Sequence, residues 1–496
     1  MTSRIRAFTI GALAALLGAA LAELLSGLTR ARLSPVLAIG EAVIEITPGA
    51  VAERAIDAVG QLDKPLLIVG VVVGLIVCGG VSGIAMSHNV AAGIGAYIVL
   101  SVVPLLAVQS QADSAGRSVA IVVIAAVVTV VVAVAMLSGP RYASVERRTF
   151  LRDAAILAVG AAVVGSIGRG LVSAFSAVED ARAGLKLPVG KNSAGAGMEV
   201  GVDGIAPWLT PNSDFYRIDT TLSPPLLKPD DWELRIHGMV ERELTLTYDD
   251  LVDRGLRESW ITLCCVSNEV GGDLISNTVW GGVSIKSILD EVGVRPDADA
   301  LLSTSDDGWN CGTPLAALTD GRNAMLAVSM NGEPLPVEHG FPVRMVVPGL
   351  YGYVSATKWV VDWEVTRFDD FEAYWTERGW APEGPVKTQS RIDTPADGAE
   401  VEAGQVAVGG VAWAQHRGIE TVEIRVDDGD WRTAELGRVP NVDTWVQWKY
   451  VWDAEPGDHD VEVRATDRAG EVQTSRTQGT VPDGATGHHT VTVSVT

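Results

Sequence analysis

The stretch that decides the fold reads Trp260-Ile261-Thr262-Leu263-Cys264-Cys265-Val266-Ser267-Asn268, then Gly271-Gly272-Asp273-Leu274-Ile275-Ser276-Asn277 and Trp280-Gly281-Gly282-Val283. An apolar, β-branched strand runs straight into two cysteines, then into small polar residues and glycines. A thiolate at a strand end, facing a glycine-rich turn, suits a bulky cofactor built around a soft metal. From spacing alone a buried structural pair of cysteines is the simpler account. The decision therefore needs a second segment.

That segment is Glu338-His339-Gly340-Phe341-Pro342-Val343-Arg344-Met345-Val346-Val347-Pro348-Gly349, continuing to Lys358-Trp359. It gathers His339, Arg344 and Lys358 in a part of the chain that is otherwise strongly acidic. Arg344 sits in an apolar strand, where a charge needs a partner. The strand supplies no carboxylate. An anionic ligand such as a phosphate is one candidate partner, and a distant Asp or Glu is the other.

Working outward, composition divides the 496-residue chain in two. Residues 1–175 are apolar and carry 12 Lys+Arg against 9 Asp+Glu; residues 176–496 carry 26 against 52. A body this acidic repels nucleic acid, so DNA and RNA are not expected partners. Four cysteines in a chain of this length do not make a disulfide framework. Cys78 lies in an apolar run and reads as a core or lipid-facing residue. No zinc motif is present.

Apolar runs near the length of a membrane-crossing helix fall at about 7–28, 65–85, 89–109, 118–138 and 154–173. They predict a helical membrane region over 1–175 with about five spans. The acidic stretch 29–64, with Pro35 and Pro48, reads as an outer loop or an interfacial helix. Arg4 and Arg6 before the first run, and Arg141, Arg147, Arg148 and Arg152 before the fifth, put the N-terminus inside and 176–496 on the outer face. Glu146-Arg147-Arg148-Thr149-Phe150-Leu151-Arg152 also has the form of a twin-arginine export motif, a route for domains that fold before export. A plain set of cytoplasmic anchors explains the same arginines.

Beyond a Gly- and Ala-rich linker at 176–200, residues 201–388 mix short strands (Trp232–His237, Pro342–Val347) with a helix (Ser284–Val292), an α+β pattern. From 389 to 496 alternating strands appear at Val401–Ala412, Thr421–Val426, Val461–Ala465 and Thr490–Val495. The turns Asp427-Asp428-Gly429-Asp430 and Glu455-Pro456-Gly457-Asp458 separate them. This spacing predicts an immunoglobulin-like β-sandwich.

Four stretches together resemble the sulfite oxidase family. They are Asp214-Phe215-Tyr216-Arg217-Ile218-Asp219, Thr262 to Asn268, Met330-Asn331-Gly332-Glu333-Pro334-Leu335-Pro336, and His339 to Gly349 with Lys358-Trp359. The resemblance covers about 201–496 and makes the sandwich similar to that family's dimerisation domain, which implies a homodimer. It implies a molybdenum–molybdopterin cofactor, or its tungsten counterpart, bound to one protein thiolate. Cys265 is that thiolate, and Cys264 points to the other side of the strand. His339, Arg344 and Lys358 would hold the pterin phosphate and ring edges; Phe215, Tyr216 and Arg217 would line the cofactor, with Arg217 reaching an anionic substrate. Asn268 would order the turn behind the metal. The implied reaction is two-electron oxygen-atom transfer on a small sulfur or oxyanion substrate.

The chain departs from the family in two places. Trp380 stands where a tyrosine is expected near the metal, and an indole cannot offer a phenolic hydroxyl. Only Lys449 falls near Trp445–Trp452, where a further arginine is expected. A sulfoxide reductase working at the same site is thus a second reading, and a non-enzymatic surface binding protein with a decayed site a third. The seven histidines place only His88 among the spans, so no haem is expected and electrons would pass to a separate cytochrome or quinone-linked subunit.

Overall fold

The computed structural model describes residues 3–29, 34–47, 63–109, 116–137, 170–190 and 193–496. The chain forms two compact units: residues 1–178 with 220–226, and residues 179–219 with 227–496.

In the first unit the helices are α1 (Ser3–Thr29), α2 (Pro35–Ile46), α3 (Asp63–His88), α4 (Val90–Gln109) and α5 (Gly116–Leu137). Four of them, over Arg4–Ser26, Leu66–His88, Val90–Gln109 and Ser118–Leu137, are long and apolar enough to cross a membrane. Val69, Val73, Val77 and Val81 repeat every four residues and leave one face of α3 exposed and wholly aliphatic. α1 and α3 meet through small residues: a Cβ on Gly11 would lie 2.3 Å from the Gly79 carbonyl oxygen, so only glycine allows this approach. The Tyr97 hydroxyl donates to that same carbonyl at 3.0 Å. The stretch 29–64, expected as a loop or interfacial helix, contains α2. Pro35 starts this helix and the Ser34 hydroxyl caps it by accepting from Leu37 N–H. Its Ala38 and Ile39 pack among Ala107, Val108 and Val122. Most of the expected fifth span, and the whole arginine motif at 146–152, lie outside the described residues.

Helix α6 (Gly170–Gly184) runs into the expected linker, which is therefore helical to 184. In the second unit one sheet has the order β2-β1-β10-β5-β6: β1 (Glu233–Gly238), β2 (Leu244–Thr247), β5 (Ala300–Ser305), β6 (Asn310–Pro314) and β10 (Val360–Thr366). β1 and β10 are parallel, and the other pairs are antiparallel. A second sheet joins β3 (Arg257–Cys264), β4 (Ile275–Ser284), β7 (Met325–Met330) and β8 (Glu333–Pro334), with β9 (Arg344–Val346) also on β7. Short helices α7 (Tyr248–Val252), α8 (Ile285–Val292) and α9 (Leu315–Thr319) complete this part. Alternation along β1 buries Leu234 and Ile236, which share a core with Ile288, Leu289, Val343 and Trp363.

Residues from 389 onward form two facing sheets. One contains β11 (Gln389–Thr394), β13 (Gly404–Trp413), β17 (Val446–Ala454) and β16 (Glu435–Leu436). The other contains β12 (Ala399–Val401), β19 (His489–Val495), β18 (Gly457–Asp467), β14 (Ile419–Val426) and β15 (Arg432–Thr433). Val408 and Trp448 from the first sheet meet Val422, Val461, Val463 and Val493 from the second in one core.

Candidate active site

β3 and β4 pair antiparallel up to Cys264 opposite Ile275, so residues 265–274 form the loop that joins them. Cys264, the last strand residue, joins the hydrophobic core with Val266 and Ile275. Cys265 begins the loop. It is 8% exposed, and its Sγ accepts the Ser267 N–H at 3.4 Å. Burial pushes its thiol pKa up, while the N–H groups around the sulfur pull it back. Asn268 ties the loop together: its N–H donates to the Cys265 carbonyl and its Oδ1 accepts from Leu274 N–H at 2.8 Å.

The sandwich braces this hairpin. Thr262 N–H donates to the Asp443 carbonyl, the Thr262 hydroxyl accepts from Trp445 N–H, and the Gln415 side-chain amide donates to the Thr262 carbonyl. Arg391 Nη1 donates to the Gly272 carbonyl at 2.6 Å. The strand that presents Cys265 is thus fixed from residues about 120 to 180 positions away.

A second cluster gathers cations. Arg344, on β9, is 5% exposed. Its Nη1 donates to the His339 carbonyl at 3.0 Å, and its guanidinium lies over the Trp280 ring, 5.0 Å from the centroid. Among the described residues it has no carboxylate partner in a salt bridge, and burial pulls its pKa down to about 10. His339 is 4% exposed, and burial followed by the charges of Arg344, Lys358 and Arg217 lowers its pKa to about 3. It is a neutral imidazole at any physiological pH. Lys358 donates to Asp219 Oδ2 at 2.8 Å and to the Glu338 carbonyl at 3.3 Å. Burial lowers its pKa to about 8, against the opposing pull of Asp219. Arg217 donates from Nε to the same Asp219 oxygen at 2.8 Å.

Aromatic rings connect the two clusters. Phe215 stacks on Tyr216 at 5.1 Å and meets Trp280 and His339 edge-on at 5.5 and 5.3 Å. Tyr216 is within electrostatic reach of Cys265, Cys264 and Arg344, and burial holds its phenol well above the ordinary range. Gly340 makes the crowding possible. Its φ is +108°, and an added Cβ would meet the Arg344 Cβ at 2.9 Å and the Lys358 Cβ at 3.2 Å. Trp359, with φ +50°, is held in the left-handed region by Nε1 donation to the Val337 carbonyl.

Phe215, Tyr216, Arg217, His339, Arg344 and Lys358 therefore come together from two distant stretches, with Cys265, from a third, in electrostatic reach of Tyr216. Trp380 packs against Tyr353 and Trp375, with ring centroids 5.9 and 6.3 Å away. Lys449 donates to the Val200 carbonyl and pairs with Glu435 on the sandwich. Sequence reasoning missed Asp219, Trp280 and Arg391 as parts of the arrangement. Asp219 and Trp280 lie inside the quoted motifs, but their partners are far along the chain. Arg391 had no local signal.

The chemistry of the donor set fits a large anionic cofactor with a soft metal. One end offers a single buried sulfur, the other a guanidinium without a carboxylate, and aromatic faces lie between them.

Residues 221–375 match the family described as oxidoreductase molybdopterin binding domain. Rat mitochondrial sulfite oxidase is 31% identical over 272 residues, covering 46% of this chain and 49% of that protein. The chain thus spans about half the length of such relatives. An uncharacterized oxidoreductase of Bacillus subtilis is 32% identical over 153 residues, covering 31% of this chain and 74% of the relative. The crystal structure of the sulfane dehydrogenase SoxCD from Paracoccus pantotrophus superposes with a TM-score of 0.51 and 23% identity, over 58% of this chain and 81% of that one. The last shows a shared fold. These matches count against the reading of a non-enzymatic binding protein. The chain belongs to the sulfite-oxidase-like family of molybdopterin-binding oxidoreductases.

Proposed function

We propose that this chain is a molybdenum-cofactor enzyme that catalyses two-electron oxygen-atom transfer on a small sulfur or oxyanion substrate. The observation that carries the reading is the pairing of a buried strand-end thiol, Cys265, with a buried guanidinium, Arg344, that lacks a carboxylate. Cys265 would bind the metal, while Arg344, Lys358 and His339 would hold the pterin phosphate and ring edges. The cofactor, molybdenum- or tungsten-based, supplies the two-electron redox chemistry when bound.

The chain's own residues supply orientation, charge and dryness. Arg344 donates to the His339, Ala356 and Met345 carbonyls, which fix the guanidinium and leave two N–H groups for an anion, so little order would be lost on binding. Neutral His339 donates or accepts without adding charge. Phe215, Tyr216 and Trp280 exclude water from the space between thiol and cations, which strengthens each charge interaction there. Arg217 is the most exposed of the cations at 41%; Asp219 holds its Nε, and the rest of its guanidinium would meet an anionic substrate. Asn268 and Ser267 hold the Cys265 turn.

Electrons would leave through a separate cytochrome or quinone-linked subunit. The twin-arginine reading of 146–152 and the positive-inside arginines support an outer-face catalytic part anchored by the N-terminal helices. The two-sheet core supports an immunoglobulin-like domain of the dimerisation type. Trp380 in place of a tyrosine favours keeping sulfoxide reduction as a second direction of the same chemistry.

Both directions are tested with purified, cofactor-loaded chain. Sulfite should reduce an artificial one-electron acceptor, or methionine sulfoxide should oxidise a reduced dye, in proportion to bound molybdenum. Loaded protein inert to both, and to other sulfur and oxyanion substrates, would contradict the proposal.

A further inference from the structure

Asp219 has no role in the cofactor reading, yet its position is specific. Its side chain is only 4% exposed, and its Oδ2 receives Arg217 Nε and Lys358 Nζ, each at 2.8 Å. The groups packed around Lys358 come from three elements. Arg217 and Asp219 belong to the 214–219 segment, the Glu338 carbonyl and His339 to the turn 337–339, and Arg344 to β9. Arg217, Arg344 and Lys358 carry three positive charges, His339 is neutral, and Asp219 removes one. The residue is two positive charges, which matches a phosphate monoester dianion.

We propose that Asp219 is a positioning residue of the anion cradle: its carboxylate clamps Arg217 and Lys358 side by side and sets the cluster's net charge to that of a dianion. This rests on the anion-cradle reading above. Without Asp219, the buried Arg344 and Lys358 and the half-exposed Arg217 would be left without a carboxylate among them, and the easiest relief is for Lys358 to give up its proton, because the ammonium is the member that sheds charge most readily. The lowered pKa of Lys358, to about 8 even with Asp219 present, agrees with that order.

The test uses the full chain produced without cofactor and purified in detergent, with sulfate as a dianion that does not titrate in the working range. Calorimetry follows sulfate binding from about pH 5 to 9. The unaltered chain should bind sulfate up to about pH 8 and lose it above, as Lys358 deprotonates. Asp219→Asn should bind at least as tightly at about pH 6, but its loss should set in about one pH unit lower, leaving binding about fivefold weaker at pH 8. Asp219→Glu should restore the original profile. An unshifted profile in Asp219→Asn, or weaker binding at every pH with the fold intact by circular dichroism, would overturn the inference while leaving the cradle standing. Failure of the unaltered chain to bind sulfate, or binding that survives Arg344→Ala, would overturn the cradle reading and this inference with it.

Discussion

The two ends of the site are built by opposite means. At the thiol end, Cys265 is held by backbone geometry: a strand end, an N–H from Ser267, and a loop pinned by Asn268 and Arg391. At the cation end, Arg344, Lys358 and Arg217 are held by charge, by carbonyls and by the single carboxylate of Asp219. The difference teaches where each end is vulnerable. The thiol end should respond to substitutions that alter shape or remove the sulfur. The cation end should respond to pH and to changes of charge, since its groups are buried and their protonation is balanced by neighbours.

The largest effect that sharpens this contrast is expected from Arg344→Ala. It removes the buried guanidinium and leaves the His339 and Ala356 carbonyls without their donors. Losing one side of a buried charged contact costs about 2–5 kcal/mol, so pterin retained through gel filtration should fall by well over tenfold. Retention equal to the unaltered chain would break the claim that this end is held by charge.

A smaller effect lies in pH. His339 titrates at about 3 when folded, against about 6.5 for a free histidine. Between those values the unfolded chain takes up a proton that the folded chain refuses, so stability falls as pH drops through that window. Lys358 behaves likewise between about 8 and about 10.5: the unfolded chain holds its proton longer, so folding gains stability as pH rises. Anion binding should weaken over the same alkaline interval, because it needs the charged ammonium. The buried thiols of Cys264, Cys265 and Cys311, raised by burial, lose stability over the same interval, so the Lys358 share is read as a difference: thermal melts of cofactor-free chain should gain stability relative to Lys358→Met as pH rises from about 8 to 10. Parallel pH profiles for the two proteins would assign the effect to other groups.

Much of the fold is readable from local pattern. Alternation marks β1, β14 and β19 within a residue or two and the middle of β18, which begins four residues earlier at Gly457, and α8 has an apolar face of Ile285, Ile288, Leu289 and Val292. The cysteine pair is legible in part: Cys264 ends its strand inside the core, and Cys265 opens the loop beyond it. What was not legible is pairing over distance. Lys358 meets Asp219 from 139 residues away, and Arg391 reaches Gly272 from 119. Neither contact leaves a periodic trace in the sequence. The packing of Trp380 against Tyr353 and Trp375 is of the same kind, since neither contact is visible in the motif that places Trp380. The stretch 29–64 leaves a loop and a helix open by sequence, and helix α2 decides it, with Pro35 acting as a helix start.

The central claim is that Cys265, and not its neighbour, binds the metal. X-ray absorption at the molybdenum edge of purified chain tests it, with Cys265→Ser and Cys264→Ser beside the unaltered protein. The account predicts one fewer sulfur at the metal in Cys265→Ser and an unchanged shell in Cys264→Ser, whose thiol belongs to the core. An unchanged shell in Cys265→Ser, or a sulfur lost only in Cys264→Ser, would contradict it.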